Sequence, residues 1–247
     1  MVIGGLEKSS VVDFPGTIAA VIFLQGCNFD CWYCHNRSLL RNDPPQAACG
    51  ADSVLAFLQR RRGLLGGVVI SGGEPTLQND LPLFVEKVRA LDYRVKLDTN
   101  GSRPDMLSAL VRAGMVDYVA MDIKAPPDRY ADTAGVPVDM INLLKSIEVL
   151  RFSRVAHEFR TTFVPTLSPD DILSIARLIA GAPLYALQQY RRPVFTGPGR
   201  IIPALPPHGQ SAVEEAVRLA SPHVLRCIVR GTGASTRILA LSSPSVI

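Results

Sequence analysis

Apolar runs and amphipathic stretches alternate along this chain with a regularity that predicts its fold. Residues 18–24 (IAAVIFL) are almost continuously apolar and rich in β-branched side chains, the pattern of a strand buried in a parallel sheet. Over residues 52–62, Val54, Leu55, Phe57 and Leu58 recur at helical spacing. Arg60, Arg61 and Arg62 close the last turn, where they meet the negative end of the helix dipole, and Gly63 stops it. A short strand follows at 67–71 (GVVIS). Asp80 then caps a predicted helix through Leu91, with Leu83, Phe84, Val88 and Leu91 on one face. The alternation continues with a strand at 94–97, a helix at 105–113 and a strand at 118–121. A connection containing Pro126, Pro127, Gly135 and Pro137 leads to a helix at about 139–152. The strand at 159–164 is broken by Pro165, Pro169 opens a helix to about 180, and 185–189 is a sixth strand.

Six strand–helix alternations of this length predict a parallel sheet with right-handed crossovers, an α/β fold. Six units are fewer than the eight that close a barrel, so an open, partial (βα)6 barrel is expected. After Tyr190 the grammar changes. Residues 192–209 hold Pro193, Pro198, Pro203, Pro206 and Pro207 with Gly197 and Gly199, which marks a linker or extended loop. A helix at 210–220, a strand at 223–229 (HVLRCIV) and a small, polar end follow. The organisation expected is a partial-barrel domain over 1–190 and a linker with a basic C-terminal extension over 191–247, whose structure the pattern does not specify.

Composition refines this picture without changing it. The chain of 247 residues is 47% hydrophobic, enough for a large core. No apolar run approaches the ~18 residues of a membrane span. The N-terminus lacks a basic segment followed by a long apolar one, so it does not read as a secretion signal. The formal charge of +4 belongs to the tail: residues 190–247 carry seven Arg and two acids, while the first 189 carry 19 bases and 20 acids. Those arginines are scattered and aromatics are scarce, which favours a solvated surface over a nucleic-acid partner. Five cysteines, an odd number with three clustered, fit a reducing, cytoplasmic setting.

The candidate chemistry begins directly after the first apolar run, at GCNFDCWYCHN. Cys27, Cys31 and Cys34 are spaced C-x3-C-x2-C, so three thiolates can converge on one metal centre. An iron–sulfur cubane ordinarily takes four thiolates; one held by three keeps an iron open for an exchangeable ligand. Polar residues also gather at the C-terminal ends of the later strands: Gly72, Gly73 and Glu74, then Asp98 and Asn100, then Asp122 and Lys124, with Arg160 inside its strand. That edge is where parallel α/β folds bind ligands. Each group has a plainer reading. GGEP and DTNG are also turn sequences, and Asp122 with Lys124 also makes a surface ion pair of little weight. Arg160 is harder to dismiss, since a guanidinium in an apolar strand needs a carboxylate or phosphate partner. A Cys3His zinc site using His35 is disfavoured, because adjacent residues rarely ligate one ion comfortably. Cys49 and Cys227 read as small hydrophobes.

The segments LEKSSVVDFPGTIAAVIFLQGCNFDCWYCHN, SGGEPTLQ, LDTNG, MDIKAP and FRTTFVPT, within about residues 3–190, resemble the radical S-adenosylmethionine superfamily. More narrowly they resemble the activating enzymes of glycyl radical enzymes, of the type serving anaerobic ribonucleoside-triphosphate reductase. The resemblance implies a radical SAM partial barrel in which Cys27, Cys31 and Cys34 ligate a [4Fe–4S] cluster. The open iron would be chelated by the amino and carboxylate groups of S-adenosylmethionine. Tyr33 would lie near the adenine, and His35 is counted with the cofactor-binding positions. Gly72, Gly73 and Glu74 would bring the backbone to the methionine moiety, and Asp98 with Asn100 would face ribose or methionine. Asp122, Lys124 and Arg160 would complete the pocket. The implied reaction is reductive cleavage of the sulfonium to a 5′-deoxyadenosyl radical, which abstracts hydrogen from a glycine of a partner protein. The implied partners are a glycyl radical enzyme, anaerobic ribonucleotide reductase foremost, and a flavodoxin- or ferredoxin-type electron donor. Two other readings stay open: a radical enzyme acting on a small molecule, like the carboxy-deazaguanine synthases, and a non-enzymatic iron–sulfur or zinc module.

Overall fold

The computed structural model describes residues 1–40, 50–193 and 205–231. Its elements run β1 (Ile3–Phe14), β2 (Thr17–Leu24), α1 (Ala51–Arg60), β3 (Gly67–Gly72), α2 (Leu81–Arg89), β4 (Arg94–Thr99), α3 (Pro104–Arg112) and β5 (Tyr118–Asp122). There follow α4 (Tyr130–Ala134), α5 (Met140–Arg151), β6 (Ala156–Phe163), α6 (Pro169–Leu178), β7 (Tyr185–Gln189), α7 (Gln210–Ala220) and β8 (Cys227–Arg230). The strands hydrogen-bond in the order β1 to β8. β1 is antiparallel to β2, whereas β2–β3, β3–β4, β6–β7 and β7–β8 are parallel. A strictly sequential order is the winding of a (βα) barrel, since a doubly wound sheet reverses its order at a switch point. The fold is therefore the α/β, partial-barrel class that the alternation predicts.

Parts of the fold differ from the pattern reading, the first being short α4, which lies in the stretch read as a connection. β1 carries no hydrophobic signal, because IGGLEKSSVVDF buries only its ends, Ile3 and Phe14. Pairing with β2 holds it in the sheet, with register shifts and charged residues of the kind that mark an edge strand. At the other end the strand read at 223–229 is borne out as β8, which joins the same sheet parallel to β7. On α2, Leu83 is exposed, and the buried stripe is Leu81, Phe84, Val85 and Val88. Helix geometry explains the shift, since these four positions follow i, i+3, i+4, i+7 from the first residue of the helix. Asp80 stands at the N-cap but its side chain makes no capping bond; its carboxylate accepts from the Met1 ammonium at 2.5 Å.

The described chain divides into two compact units. The first holds Met1–Asp30, the described residues of Asn36–Ala120, and Ile141–Ala156. Phe14, Ala19, Val21 and Val69 form a buried cluster there, with Phe23 and Tyr118 packed against it. The second holds Cys31–His35, Met121–Met140 and the described residues from His157 onward. In it α6 packs against α7, and α6 opens with a capping box between Ser168 and Asp171. Arg230 of β8 grips Glu158 of β6 through two bonds of 2.8 and 2.7 Å, with Glu158 1% exposed. This arginine of the C-terminal extension is thus paired rather than merely solvated. Cys49, residues 194–204 of the Pro-rich stretch and the chain beyond Gly231 lie outside the described residues. Among the described residues no helix is long and apolar enough to cross a membrane.

Candidate cofactor site

In the first unit, the turn after β3 is pressed onto the start of the cysteine loop. Gly73 N–H donates to the Leu24 carbonyl at 2.9 Å and Glu74 N–H to the Gly26 carbonyl at 2.8 Å. Gly72 has φ +116°, and a Cβ on it would strike the Leu24 backbone; one on Gly73 would strike the Gly26 carbonyl. Glycine is required at both positions by this close approach of two backbones. Cys27 sits directly after Gly26, partly exposed, and its Sγ accepts from Phe29 N–H at 3.4 Å. An N–H directed at sulfur favours the thiolate and tunes a thiolate-bound iron–sulfur centre.

Glu74 is fully buried, and its carboxylate faces donors alone. Oε1 accepts from Thr76 N–H at 3.1 Å, Thr76 Oγ1 at 2.5 Å and Thr99 Oγ1 at 2.8 Å; Oε2 accepts from Asn100 N–H at 2.6 Å. Burial raises its pKa above the usual carboxyl range, and these hydrogen bonds oppose the rise. The Asn100 side chain is committed within the protein: Nδ2 donates to Asn28 Oδ1 at 2.9 Å, and Oδ1 accepts from Ser102 N–H at 2.9 Å in an Asx turn. Asp98 accepts from Ser71 Oγ at 3.1 Å and from Lys96 Nζ at 2.5 Å, and Lys96 is itself buried.

In the second unit, Cys31 is buried, Cys34 is partly exposed and His35 is exposed. Cys34 N–H closes a turn onto the Cys31 carbonyl at 3.1 Å. The Trp32 ring packs against Tyr33, centroids 5.5 Å apart, and against Tyr190 at 5.7 Å, which anchors this half of the loop at the end of β7. Tyr33 is buried, and that burial pushes its hydroxyl pKa well above the ordinary value. Asp122 accepts from Arg160 Nε at 2.7 Å and from Lys124 Nζ at 3.0 Å. Burial alone would raise the Asp122 pKa, but the two cations outweigh it and hold the carboxyl well below the usual range. Lys124 is held the other way: burial lowers its pKa, and Asp122 lifts it well above the ordinary lysine value. Burial raises the Cys31 thiol, and the Lys124 charge opposes that rise.

The structure thus gathers Cys27, Gly72, Gly73, Glu74, Asp98 and Asn100 in one unit. It gathers Cys31, Tyr33, Cys34, His35, Asp122, Lys124 and Arg160 in the other. Cys27, Cys31, Cys34 and Cys227 are all free thiols, and Cys227 is buried on β8 away from the loop sequence. Among the described residues no group of three or more His, Cys, Asp or Glu side chains is placed to hold a metal ion. Soft thiolate donors on one short loop, one of them receiving an N–H bond, do suit an iron–sulfur cluster. Two cations beside one carboxylate suit an anionic group such as a carboxylate.

Sequence reasoning missed Lys96, Ser71, Thr76, Thr99 and Asn28. A signal existed for Lys96, since strand alternation puts positions 96 and 98 on one face. No comparable signal marks Asn28 or Thr76, whose partners are distant or local in ways that only the fold defines.

Comparison with known proteins agrees with this chemistry. The model of the Radical SAM superfamily matches residues 21–179. A Methanocaldococcus jannaschii protein provisionally named a glycyl-radical enzyme activating enzyme is 35% identical over 195 residues, covering 76% of this chain and 79% of that one. The pyruvate formate-lyase-activating enzyme of Staphylococcus epidermidis is 26% identical, over 70% of this chain and 73% of its own. Among solved structures, Streptococcus suis SuiB bound to S-adenosylmethionine aligns with TM-score 0.60 at 13% identity, over 86% of this chain and 52% of that chain. That last likeness speaks for the fold.

Proposed function

The chain belongs to the radical SAM superfamily, and we propose that within it the protein activates a glycyl radical enzyme, anaerobic ribonucleotide reductase being the partner assigned. The observation that carries this reading is the likeness to the Methanocaldococcus jannaschii protein, which runs through most of both chains rather than through the cysteine motif alone. Cys27, Cys31 and Cys34 would hold a [4Fe–4S] cluster, and S-adenosylmethionine would fill the position that a fourth thiolate leaves open. The pair, when bound, supplies a carbon-centred radical by one-electron cleavage of the sulfonium.

The rest is the work of this chain's residues. Asp122, Lys124 and Arg160 form a partly buried triad with net positive charge, which favours the carboxylate end of S-adenosylmethionine. Lys96 neutralises Asp98, so that carboxylate would meet a ribose hydroxyl without presenting an unbalanced charge. Gly72 and Gly73 let the turn after β3 lie against the start of the cysteine loop, where its carbonyl groups would meet the ligand's ammonium. Buried Tyr33 and Trp32 supply apolar walls that exclude water. The electron donor in this reading is a flavodoxin- or ferredoxin-type protein, and the setting is the reducing cytoplasm.

The test is anaerobic reconstitution with iron and sulfide, followed by dithionite and S-adenosylmethionine. Formation of 5′-deoxyadenosine is expected, and its absence overturns the reading. Electron spin resonance on a mixture with the co-encoded anaerobic reductase should then show a glycyl radical. Cleavage without that radical points instead to a small-molecule substrate.

A further inference from the structure

Glu74 belongs to the segment that the proposed function places against S-adenosylmethionine, yet its side chain has no exposed surface and faces four protein donors. It therefore does something other than touch a ligand. Two of its donors lie in its own turn, on Thr76, and two on the turn after β4, Thr99 Oγ1 and Asn100 N–H. The carboxylate thus ties the turn after β3 to the turn after β4, within the first unit.

From Asn100 the connection runs on to the cysteine loop. Asn100 Nδ2 donates to Asn28 Oδ1, and Asn28 Nδ2 donates to Ser102 Oγ, both at 2.9 Å. Asn28 immediately follows Cys27. On the other side of Cys27, the Gly26 carbonyl accepts from Glu74 N–H itself. Both chain neighbours of Cys27 are accordingly held by one assembly centred on Glu74: one by its backbone, the other through Asn100. The turn after β4 is braced from behind, where Ser146 Oγ of α5 donates to the Gly101 carbonyl at 2.6 Å.

We infer that Glu74 is a positioning residue whose buried carboxylate, acting through Asn100 and Asn28, presets Cys27 for its metal. The value of this to the proposed chemistry is order: a ligand placed by hydrogen-bonded neighbours loses little freedom on binding. Reading Cys27 as a cluster ligand rests on the proposed function, whereas the bracing of Cys27 does not.

The test uses the full chain, purified under reducing conditions without iron and alkylated with iodoacetamide, with each cysteine followed by mass spectrometry. Cys34 and buried Cys227 serve as internal references for general loosening. Asn28→Ala, an exposed position, should speed labelling of Cys27 roughly fivefold, the scale of one lost hydrogen bond, with Cys34 and Cys227 unchanged. Asn28→Asp keeps an acceptor for Asn100 Nδ2 and should return Cys27 to near the wild-type rate. Glu74→Gln should give the same selective change as Asn28→Ala. Equal acceleration at Cys27 and Cys34 in Asn28→Ala, or none at Cys27, overturns the inference. Because neither iron nor S-adenosylmethionine is present, failed cofactor cleavage would sink the proposed function and leave this result standing.

Discussion

At the scale of single residues, the charges that matter are held by specific partners rather than by exposure. Asp122 balances two cations, so Asp122→Ala strands Lys124 and Arg160 against each other in a partly buried place. A loss of about 2 kcal/mol is expected by denaturant unfolding, below the 3–5 typical of fully buried pairs because water screens this one in part. The pH dependence has a definite sign. The folded pKa lies below the ordinary 3.8, so the stabilisation is complete above that value and is lost as pH falls below it. Cys227 behaves in the opposite sense. Burial pushes its thiol up to about 12 from 9.0, so its contribution is complete below pH 9.0 and is lost as pH rises toward 12. Thermal unfolding of the wild type against Cys227→Ala should show a steeper loss between pH 9 and 12 in the first than in the second, other buried thiol and phenol groups keeping part of the loss in both. If the cysteine loop holds the proposed cluster, Cys31→Ala should abolish cleavage of S-adenosylmethionine, whereas Cys49→Ala, outside that loop, should retain it.

At the scale of elements, turns carry more of the specificity than strands do. Gly73→Ala places a methyl group on the Gly26 carbonyl and must displace the cysteine loop, whereas Gly114→Ala meets open space and costs only its left-handed backbone, about 1–2 kcal/mol. Melting temperature should fall further for Gly73→Ala, and iron uptake on reconstitution should slow in that variant alone. The cap of α6 offers a plainer case: Ser168→Ala removes one half of the capping box and should cost about 1 kcal/mol. Legibility in the sequence followed the same division. β2, β3 and β5 announced themselves as apolar runs, and the longer helices by their 3.6-residue stripes, whereas short α4 lay hidden in a Pro- and Gly-bearing connection. β1 gave no such signal either, because an edge strand needs neither two buried faces nor an alternating pattern. The stripe of α2 shifted onto Leu81 and Val85 because helix phase depends on where the first turn begins, which pattern alone leaves loose by a residue or two.

At the scale of the whole molecule, α7 and β8 join the second unit rather than trailing from it. β8 covers the edge of β7, and its Arg230 satisfies the buried carboxylate of Glu158. A chain ended at Tyr190 would expose a parallel strand edge and take the Arg230 guanidinium from that carboxylate. Such a protein should be insoluble or melt far below the full chain; Arg230→Met, which removes the charge alone, should account for part of that loss.

Local grammar is written in the residues themselves: which runs bury, which coil, where glycine and proline interrupt, and that three thiols lie within one short loop. These are properties of residues and their near neighbours, and the period of a strand or helix carries them faithfully. The sequence also placed Gly72, Gly73, Asp98, Asp122 and Lys124 at strand ends, because in parallel α/β folds that edge is set by chain direction. What those polar groups face came from the folded arrangement alone. Glu74 turned inward to Thr99 and Asn100, Lys96 was buried against Asp98, and Asn28 was drawn to a turn more than seventy residues away. Hydrogen-bond partners at that separation depend on sheet register and on which turns are brought side by side, and no local pattern encodes either.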